Sequence, residues 1–317
     1  MRAYAAPSPA YCARSASRTT TYKGGTIMFI IGENIHIIAP RVKEAINTRN
    51  TQAIQEMALA QVRAGAACID LNIGPQRKAG VEVMEWIVDA VQAVTDVPLS
   101  LDTTNLAAIE AGLKRCRAQA FINSTSAEAE RLEAVPPLAA QYNARLIALT
   151  MAKEGIPVAA EERVAIAMDK LIPRAMEVGI PMENLYIDPL VLTVAGTQEY
   201  VPNAVEAIRM FKQVMDPAPM TVVGLSNVSN SVPAENRSQC TTRTRCIRAM
   251  IPAAGPAGKG AGPRVGGLGR TAGSARRGAP RAAAGGSEKR TAPRGRSSRN
   301  RRGPSARDIA DRVANAC

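Results

Sequence analysis

The chain has 317 residues, 46% of them hydrophobic but only 3% aromatic, and a formal net charge of +13. A charge of that size points first to nucleic acid, yet its distribution removes the argument. Residues 239–317 carry 18 Lys and Arg against 3 Asp and Glu, and residues 1–27 carry 4 basic residues and no acidic one, which leaves 18 basic against 24 acidic residues in 28–238. The central stretch is mildly acidic, and nucleic acid is not an expected partner.

No apolar run approaches the ~18 residues of a membrane span. Residues 1–27 lack the apolar core of a secretory signal; their Ser, Thr, Ala and Arg content is shared with organelle presequences. Translation is expected to begin at Met28, just before the first strand, which leaves 1–27 as a disordered extension and places the protein in the cytoplasm. The six cysteines (Cys12, Cys68, Cys116, Cys240, Cys246, Cys317) form no C-x-x-C pair, so neither a zinc knuckle nor a disulfide framework is indicated. Cys68 and Cys116 are expected to be buried free thiols.

Between 28 and 238, short apolar runs alternate with longer segments of helical period. The runs are FIIGENI (29–35), ACIDLNI (67–73), PLSLDT (98–103), AFINST (120–125), RLIALT (145–150), LYIDPL (185–190) and TVVGLSN (221–227). Their near-continuous apolar character suits parallel strands buried on both faces. Between them, Ile54, Met57, Ala58 and Val62 recur at helical spacing and stop at Gly65. The same spacing joins Met84, Ile87, Val88, Val91 and Val94, and then Leu132, Val135 and Leu138. A further helix carries Met168, Leu171, Ile172 and Ala175, closes at Gly179, and is expected to kink at Pro173. Strand and helix alternate seven times, the pattern of a parallel α/β protein.

The polar residues choose between an open sheet and a barrel. Nearly every strand ends in them: Glu33 and Asn34, Asp70 and Asn72, Asp102 to Asn105, Asn123 to Thr125, Thr150, Asp188, Ser226 and Asn227. An open doubly wound sheet gathers its site at one switch point. A TIM-type (β/α)8 barrel gathers it from the carboxyl ends of all strands, and that is the expected fold. No G-x-G-x-x-G or G-x-x-x-x-G-K-[ST] follows any strand, so nucleotide-binding readings lack their fingerprint.

The pattern ends after Ser238. Residues 239–317 contain no Phe, Trp, Tyr or His but 13 of the 24 glycines. Such a segment buries too little apolar surface to offset its ordering entropy. An arginine-rich nucleic-acid arm is the functional alternative, but it lacks aromatic stacking residues and an R-G-G repeat. The expectation is a disordered tail produced by a reading-frame shift, with the eighth βα unit lost and the edges of strands one and seven left unpaired.

Asp, Asn, Ser and Thr at strand ends suit recognition of a polar heterocycle. They suit a zinc or transition-metal site poorly, because those take His or Cys, and no metal is expected on this chain. His36 is the only histidine, which removes Ser-His and Cys-His triads; it is expected to be an incidental loop residue. The specific clue is D-T-T-N (Asp102–Asn105), I-N-S-T (Ile122–Thr125) and Y-I-D-P-L (Tyr186–Leu190). A pterin's pyrimidinone edge offers an amino group, a ring N–H and a carbonyl in one plane. A carboxylate accepts two donors side by side, and an Asn amide both donates and accepts. Thr103, Thr104, Ser124 and Thr125 are instead expected to cap helices or satisfy rim backbone.

Further motifs are D-L-N-I-G-P (Asp70–Pro75), M-E-W (Met84–Trp86), A-I-E-A-G-L-K (Ala108–Lys114), G-I-P (Gly155–Pro157), P-M-E-N-L-Y-I-D-P-L (Pro181–Leu190) and G-L-S-N-V-S (Gly224–Ser229). With these, 28–238 resembles the methyltetrahydrofolate:corrinoid/iron–sulfur protein methyltransferases, relatives of the folate domain of methionine synthase. D-T-T-N stands where D-S-T-N is usual, and Ala152 where Asn is common. The resemblance implies that Asp102, Asn123 and Asp188 hold the pterin. It implies that Asn227 hydrogen-bonds the nitrogen carrying the methyl group; that amide, or a water held by Asp102 or Asn227, can stabilise the nitrogen as the methyl leaves. The reaction it implies is methyl transfer from methyltetrahydrofolate to the Co(I) corrinoid of a partner protein, by a homodimer. Dihydropteroate synthase is the nearest rival, but its S-T-R-P-G loop is absent and G-P-Q-R-K (Gly74–Lys78) stands there. A truncated, inactive pterin-binding product is the third reading.

Overall fold

The computed structural model describes the backbone of residues 20–21, 27–232 and 247–251, with side chains from 29 to 232. Seven parallel strands curl into a partial (β/α)8 barrel, as the alternation of runs requires. They are β1 (Ile27–His36), β2 (Cys68–Asn72), β3 (Leu99–Asp102), β4 (Phe121–Ser126), β5 (Arg145–Leu149), β6 (Leu185–Asp188) and β7 (Met220–Gly224). Each hydrogen-bonds to the next in sequence order. The first and second pair through Ile31↔Cys68, the third and fourth through Asp102↔Asn123, and the sixth and seventh through Ile187↔Thr221.

The connecting helices are α1 (Pro40–Thr48), α2 (Thr51–Arg63), α3 (Gly80–Gln92), α4 (Leu106–Arg115), α5 (Ala129–Gln141), α6 (Ala160–Ile166), α7 (Ile172–Glu177) and α8 (Val201–Val214). The apolar periodicity marks α2, α3, α5 and the α6–α7 segment. Gly65 and Gly179, the expected stop signals, take φ of +103° and +81°, a left-handed region open to glycine. The irregularity expected at Pro173 lies one turn earlier. Ala167–Leu171 is a π turn in which the Ile172 N–H reaches back to the Ala167 carbonyl. Pro173 has no N–H to donate and its ring crowds the preceding turn, which widens to accommodate it.

The two-residue period of the strands explains their continuous apolar runs. Outward-facing Ile69, Leu71, Leu99, Leu101, Ile122, Leu146 and Ile187 pack against the helices through Ile54, Met84, Ile87, Val88, Ile109 and Phe211. Inward-facing Ile31, Cys68, Phe121, Ile147, Tyr186 and Val222 fill the barrel lumen toward the amino ends. Phe121 is its centre, 5.3 Å from the Tyr186 ring in an edge-on contact, with the Arg145 guanidinium 5.0 Å from its centroid. One step further along the same inward parity, Asp70, Ser100, Asn123 and Asp188 replace apolar residues. The lumen is therefore apolar below and polar at the carboxyl mouth.

The eighth position differs from expectation. Ile247–Ile251, here β8, pairs antiparallel with β1 through Phe29↔Met250 and with β7 through Val222↔Met250. The edges of β1 and β7 are therefore not left bare. The run I-R-A-M-I has enough β-forming character for one strand inside an otherwise Arg, Gly, Ala and Pro-rich stretch. Thr20 and Thr21 pair antiparallel with Met28 and Ile27. The remaining expectations for 1–19, 22–26, 239–246 and 252–317, disorder and a frame shift included, fall outside the described residues.

Replacing Phe121 with Ala is expected to lower the unfolding free energy by about 3–5 kcal/mol, because it empties the centre of the lumen. Urea unfolding followed by circular dichroism measures this, and a change below about 1 kcal/mol would mean the lumen collapses around the gap.

Candidate functional site

The register sets Asn72, Asp102 and Asn123 side by side at the carboxyl ends of β2, β3 and β4. Beneath them Asp70, 1% exposed, accepts hydrogen bonds at its Oδ1 from the Ser100 hydroxyl (2.5 Å) and the Asn123 Nδ2 (3.0 Å). The Asn72 Nδ2 donates to Asp102 Oδ2 at 2.6 Å, while its Oδ1 accepts the Gly74 N–H at 3.1 Å. Asn72 is thus fixed by the adjacent strand, and Asn123 by β2, which lies one strand beyond its neighbour β3. Burial, and then the charges of Asp102 and Glu33, push the Asp70 carboxyl well above the usual range, partly opposed by the Ser100 and Asn123 hydrogen bonds.

Asp188, 1% exposed at the end of β6, accepts the Leu190 N–H at 2.8 Å with its Oδ1, closing a turn over Pro189. Its own carbonyl accepts the Thr150 N–H and hydroxyl at 3.0 and 3.2 Å. Leu190 has a φ of +64°, a conformation the carboxylate helps to hold. Arg163 on α6 completes this corner. It is wholly buried and donates to the carbonyls of Pro157 (2.9 Å), Pro189 (2.7 Å) and Leu190 (3.0 Å). Burial draws its guanidinium pKa down, and the Asp188 charge opposes that.

On the next strand, a 3-10 turn (Leu225–Ser229) follows β7 and carries Asn227, which is half-buried and accepts from Asn230 Nδ2 at 3.3 Å. The Ser226 hydroxyl donates to Glu33 Oε2 at 3.1 Å and ties the end of β7 to that of β1. Arg131 on α5 donates to the Thr104 carbonyl at 3.2 Å and to the Ser124 carbonyl, which joins the β3 and β4 loops.

Of the four residues expected to serve the rim, Thr103 donates to the Gly74 carbonyl and accepts the Asn105 N–H, and Thr125 donates to the Arg131 carbonyl, whereas Thr104 and Ser124 contribute backbone carbonyls that accept from Arg131. Asn105 caps α4 through the Ala108 N–H. The His36 Nδ1 accepts the Ile38 N–H at 3.2 Å, a local turn contact. Cys68 is buried in the lumen and Cys116 is half-buried, its thiol pushed up to about 12 by burial. Among the described residues, no group of three His, Cys, Asp or Glu is placed to hold a metal ion, and no helix is long and apolar enough to cross a membrane.

A barrel with this carboxyl-end chemistry finds its match in the sequence family of pterin binding enzymes, whose model covers residues 40–257. The chain belongs to that family. Within it, the chain is 29% identical over 209 residues to the methylcorrinoid:tetrahydrofolate methyltransferase of Eubacterium limosum, covering 65% of this chain and 76% of that protein. It is 28% identical over 211 residues to the methionine synthase of Mycobacterium leprae and 29% identical over 212 residues to that of Mycobacterium tuberculosis. Each match covers 64% of this chain but only 18% of the methionine synthase.

For a pterin-binding barrel, the sequence-predicted residues divide into two groups. Asp102 and Asn123 are neighbours in register, whereas Asp188 and Asn227 stand at the ends of separate strands. Arg163 and Arg131 escaped sequence reading. Both sit in helices whose charged residues read as solvent-facing, and nothing in E-E-R-V-A-I or E-R-L-E-A-V marks an arginine that bonds to backbone carbonyls.

Two outcomes follow from the buried charges. Arg163→Met strips three carbonyls of their donor and removes the cation beside Asp188. A loss of about 3–5 kcal/mol in urea unfolding is expected. For Asp70 the folded pKa is raised, so the native state binds more protons than the unfolded chain. Its contribution then makes stability fall as pH rises from about 4, the ordinary carboxyl value, until the buried group ionises. Asp70→Asn should flatten that part of the profile, as read from melting temperature against pH; an unchanged slope would show that Asp70 titrates normally.

Proposed function

We propose that this chain transfers the methyl group of methyltetrahydrofolate to the Co(I) corrinoid of a partner protein docked over the carboxyl mouth, and that it works as a homodimer. The observation that carries the reading is the cluster at that mouth: Asp102 and Asn123 adjacent in register and Asp188 on the same end of the barrel. A family-level match to pterin binding enzymes and the names of the relatives support it.

In this reading Asp102, Asn123 and Asp188 hold the pyrimidinone edge, the carboxylates accepting its amino and ring N–H donors. Asn227 lies beside the nitrogen that carries the methyl. That nitrogen is a poor leaving group. When its bond to carbon breaks, the electron pair stays on nitrogen, which must gain a proton or a strong hydrogen bond by the transition state. The Asn227 amide, or a water held by it and Asp102, stabilises that developing charge. The nucleophilic metal belongs to the partner as a co-substrate, so this chain's task is binding, orientation and proton supply. The name of the Eubacterium relative writes the exchange in the opposite direction. Both directions share one transition state and need the same residues.

Asn227→Ala is expected to cut methyl transfer by about 10²-fold or more while changing methyltetrahydrofolate affinity only a few-fold, since its contact strengthens as the bond breaks. Transfer to a Co(I) corrinoid protein is followed by cobalt absorbance and affinity by fluorescence quenching. Equal losses in both would reduce Asn227 to a binding residue. Pterin pyrophosphate condensation without methyl transfer would favour a dihydropteroate synthase-like enzyme instead.

A further inference from the structure

An amide side chain has a donor on one end and an acceptor on the other. Which end faces a ligand decides what the ligand must present. Asn123 is 4% exposed, and its Nδ2 is committed to Asp70 Oδ1 at 3.0 Å. Its Oδ1 accepts no hydrogen bond among the described residues. Turning the amide over would set that oxygen against an Asp70 carboxylate oxygen, two acceptors with no hydrogen between them. Asp70 is itself held, because the Ser100 hydroxyl donates to the same Oδ1 at 2.5 Å from the adjacent strand.

We propose that Asp70 is the positioning residue that fixes the Asn123 amide with its oxygen toward the ligand. The site then selects a heterocycle that presents an N–H donor there and rejects one that presents a carbonyl. This rests on the pterin reading above. The pyrimidinone amino group carries two hydrogens; a carboxylate takes one together with the ring N–H, and the second meets Asn123 Oδ1. Both donors converge on Oδ1, so a proton gained by this carboxyl sits on Oδ2 and leaves the acceptor in place. An Asn at position 70 offers the same oxygen.

The test compares a tetrahydropterin with its 2-oxo (lumazine-type) counterpart by equilibrium binding to the full chain. Wild type and Asp70→Asn are expected to prefer the 2-amino ligand by about tenfold or more, and Asp70→Ala to bring the ratio close to one. A merely structural role weakens both ligands together and leaves the ratio unchanged, so an unchanged ratio in Asp70→Ala overturns the assignment while the pterin reading stands. Failure of wild type to bind either ligand overturns both. A second measurement needs no variant. In ¹⁵N-labelled wild type, one Asn123 side-chain amide hydrogen should be strongly protected from exchange, with or without ligand. Two equally fast-exchanging hydrogens would show that the amide is free to turn and would also overturn the proposal.

Discussion

The two-residue period of a strand in a curled parallel sheet governs everything else in this molecule. Every second side chain must enter the lumen, and the lumen has two ends. Toward the amino ends it is filled by Phe121, Ile147, Tyr186 and Val222, which exclude water. At the next inward positions the same parity delivers Ser100, Asn123 and Asp188. The apolar plug therefore gives the polar layer a dry floor, and a dry floor is what makes each hydrogen bond there directional and each unpaired group costly. A one-residue slip in any strand would exchange the plug and the site for the outward leucines and isoleucines.

That floor imposes a charge problem, which the fold answers in two ways. Near β2, three carboxyl groups lie within electrostatic reach of one another, and the deepest, Asp70, has its charged form disfavoured by burial. Two donors on one oxygen compensate only part of this. Near β6, the buried Asp188 has a cation for company. Arg163 supplies it from a helix while directing its donors to loop carbonyls rather than to the carboxylate itself. The first corner is tuned by neutral donors and the second by a through-space charge. The carboxylates of the mouth thus differ in environment although they look alike in sequence.

Much of this was legible in the sequence because burial on both faces leaves long apolar runs, and polar residues closing seven such runs mark one end of a barrel. The D-T-T-N, I-N-S-T and Y-I-D-P-L segments located the strand ends directly. What sequence could not supply was which polar side chains touch. Asp70 and Asn72 stood in the D-L-N run as rim residues; the register places Asn72 against Asp102, and the curl of the sheet brings Asp70 across β3 to Asn123. The two arginines were hidden for another reason. A helix that packs on a barrel turns its charged residues mostly outward, so an inward guanidinium bonding to loop carbonyls leaves no periodic signal. The π turn before Pro173 was half-visible, since proline marks an irregularity but not the turn that absorbs it.

The eighth strand shows how separable closure and chemistry are. The hydrogen bonds among Asp70, Asn72, Ser100, Asp102 and Asn123, and those that hold Asp188 through Leu190 and Arg163, all fall between residues 70 and 190. Strand β8 runs antiparallel, with Ile247 opposite Gly32 and Ile251 opposite Thr221. It therefore satisfies backbone groups of β1 and β7 while presenting its amino end, not its carboxyl end, at the mouth. A parallel eighth strand would bring its carboxyl end and the loop after it to the site; this one runs the other way. The sector between β7 and β1 is instead bridged by the Ser226–Glu33 hydrogen bond. Asn227 is the next residue, so the one sequence-predicted site residue that lies beside that sector depends most on how firmly it is closed.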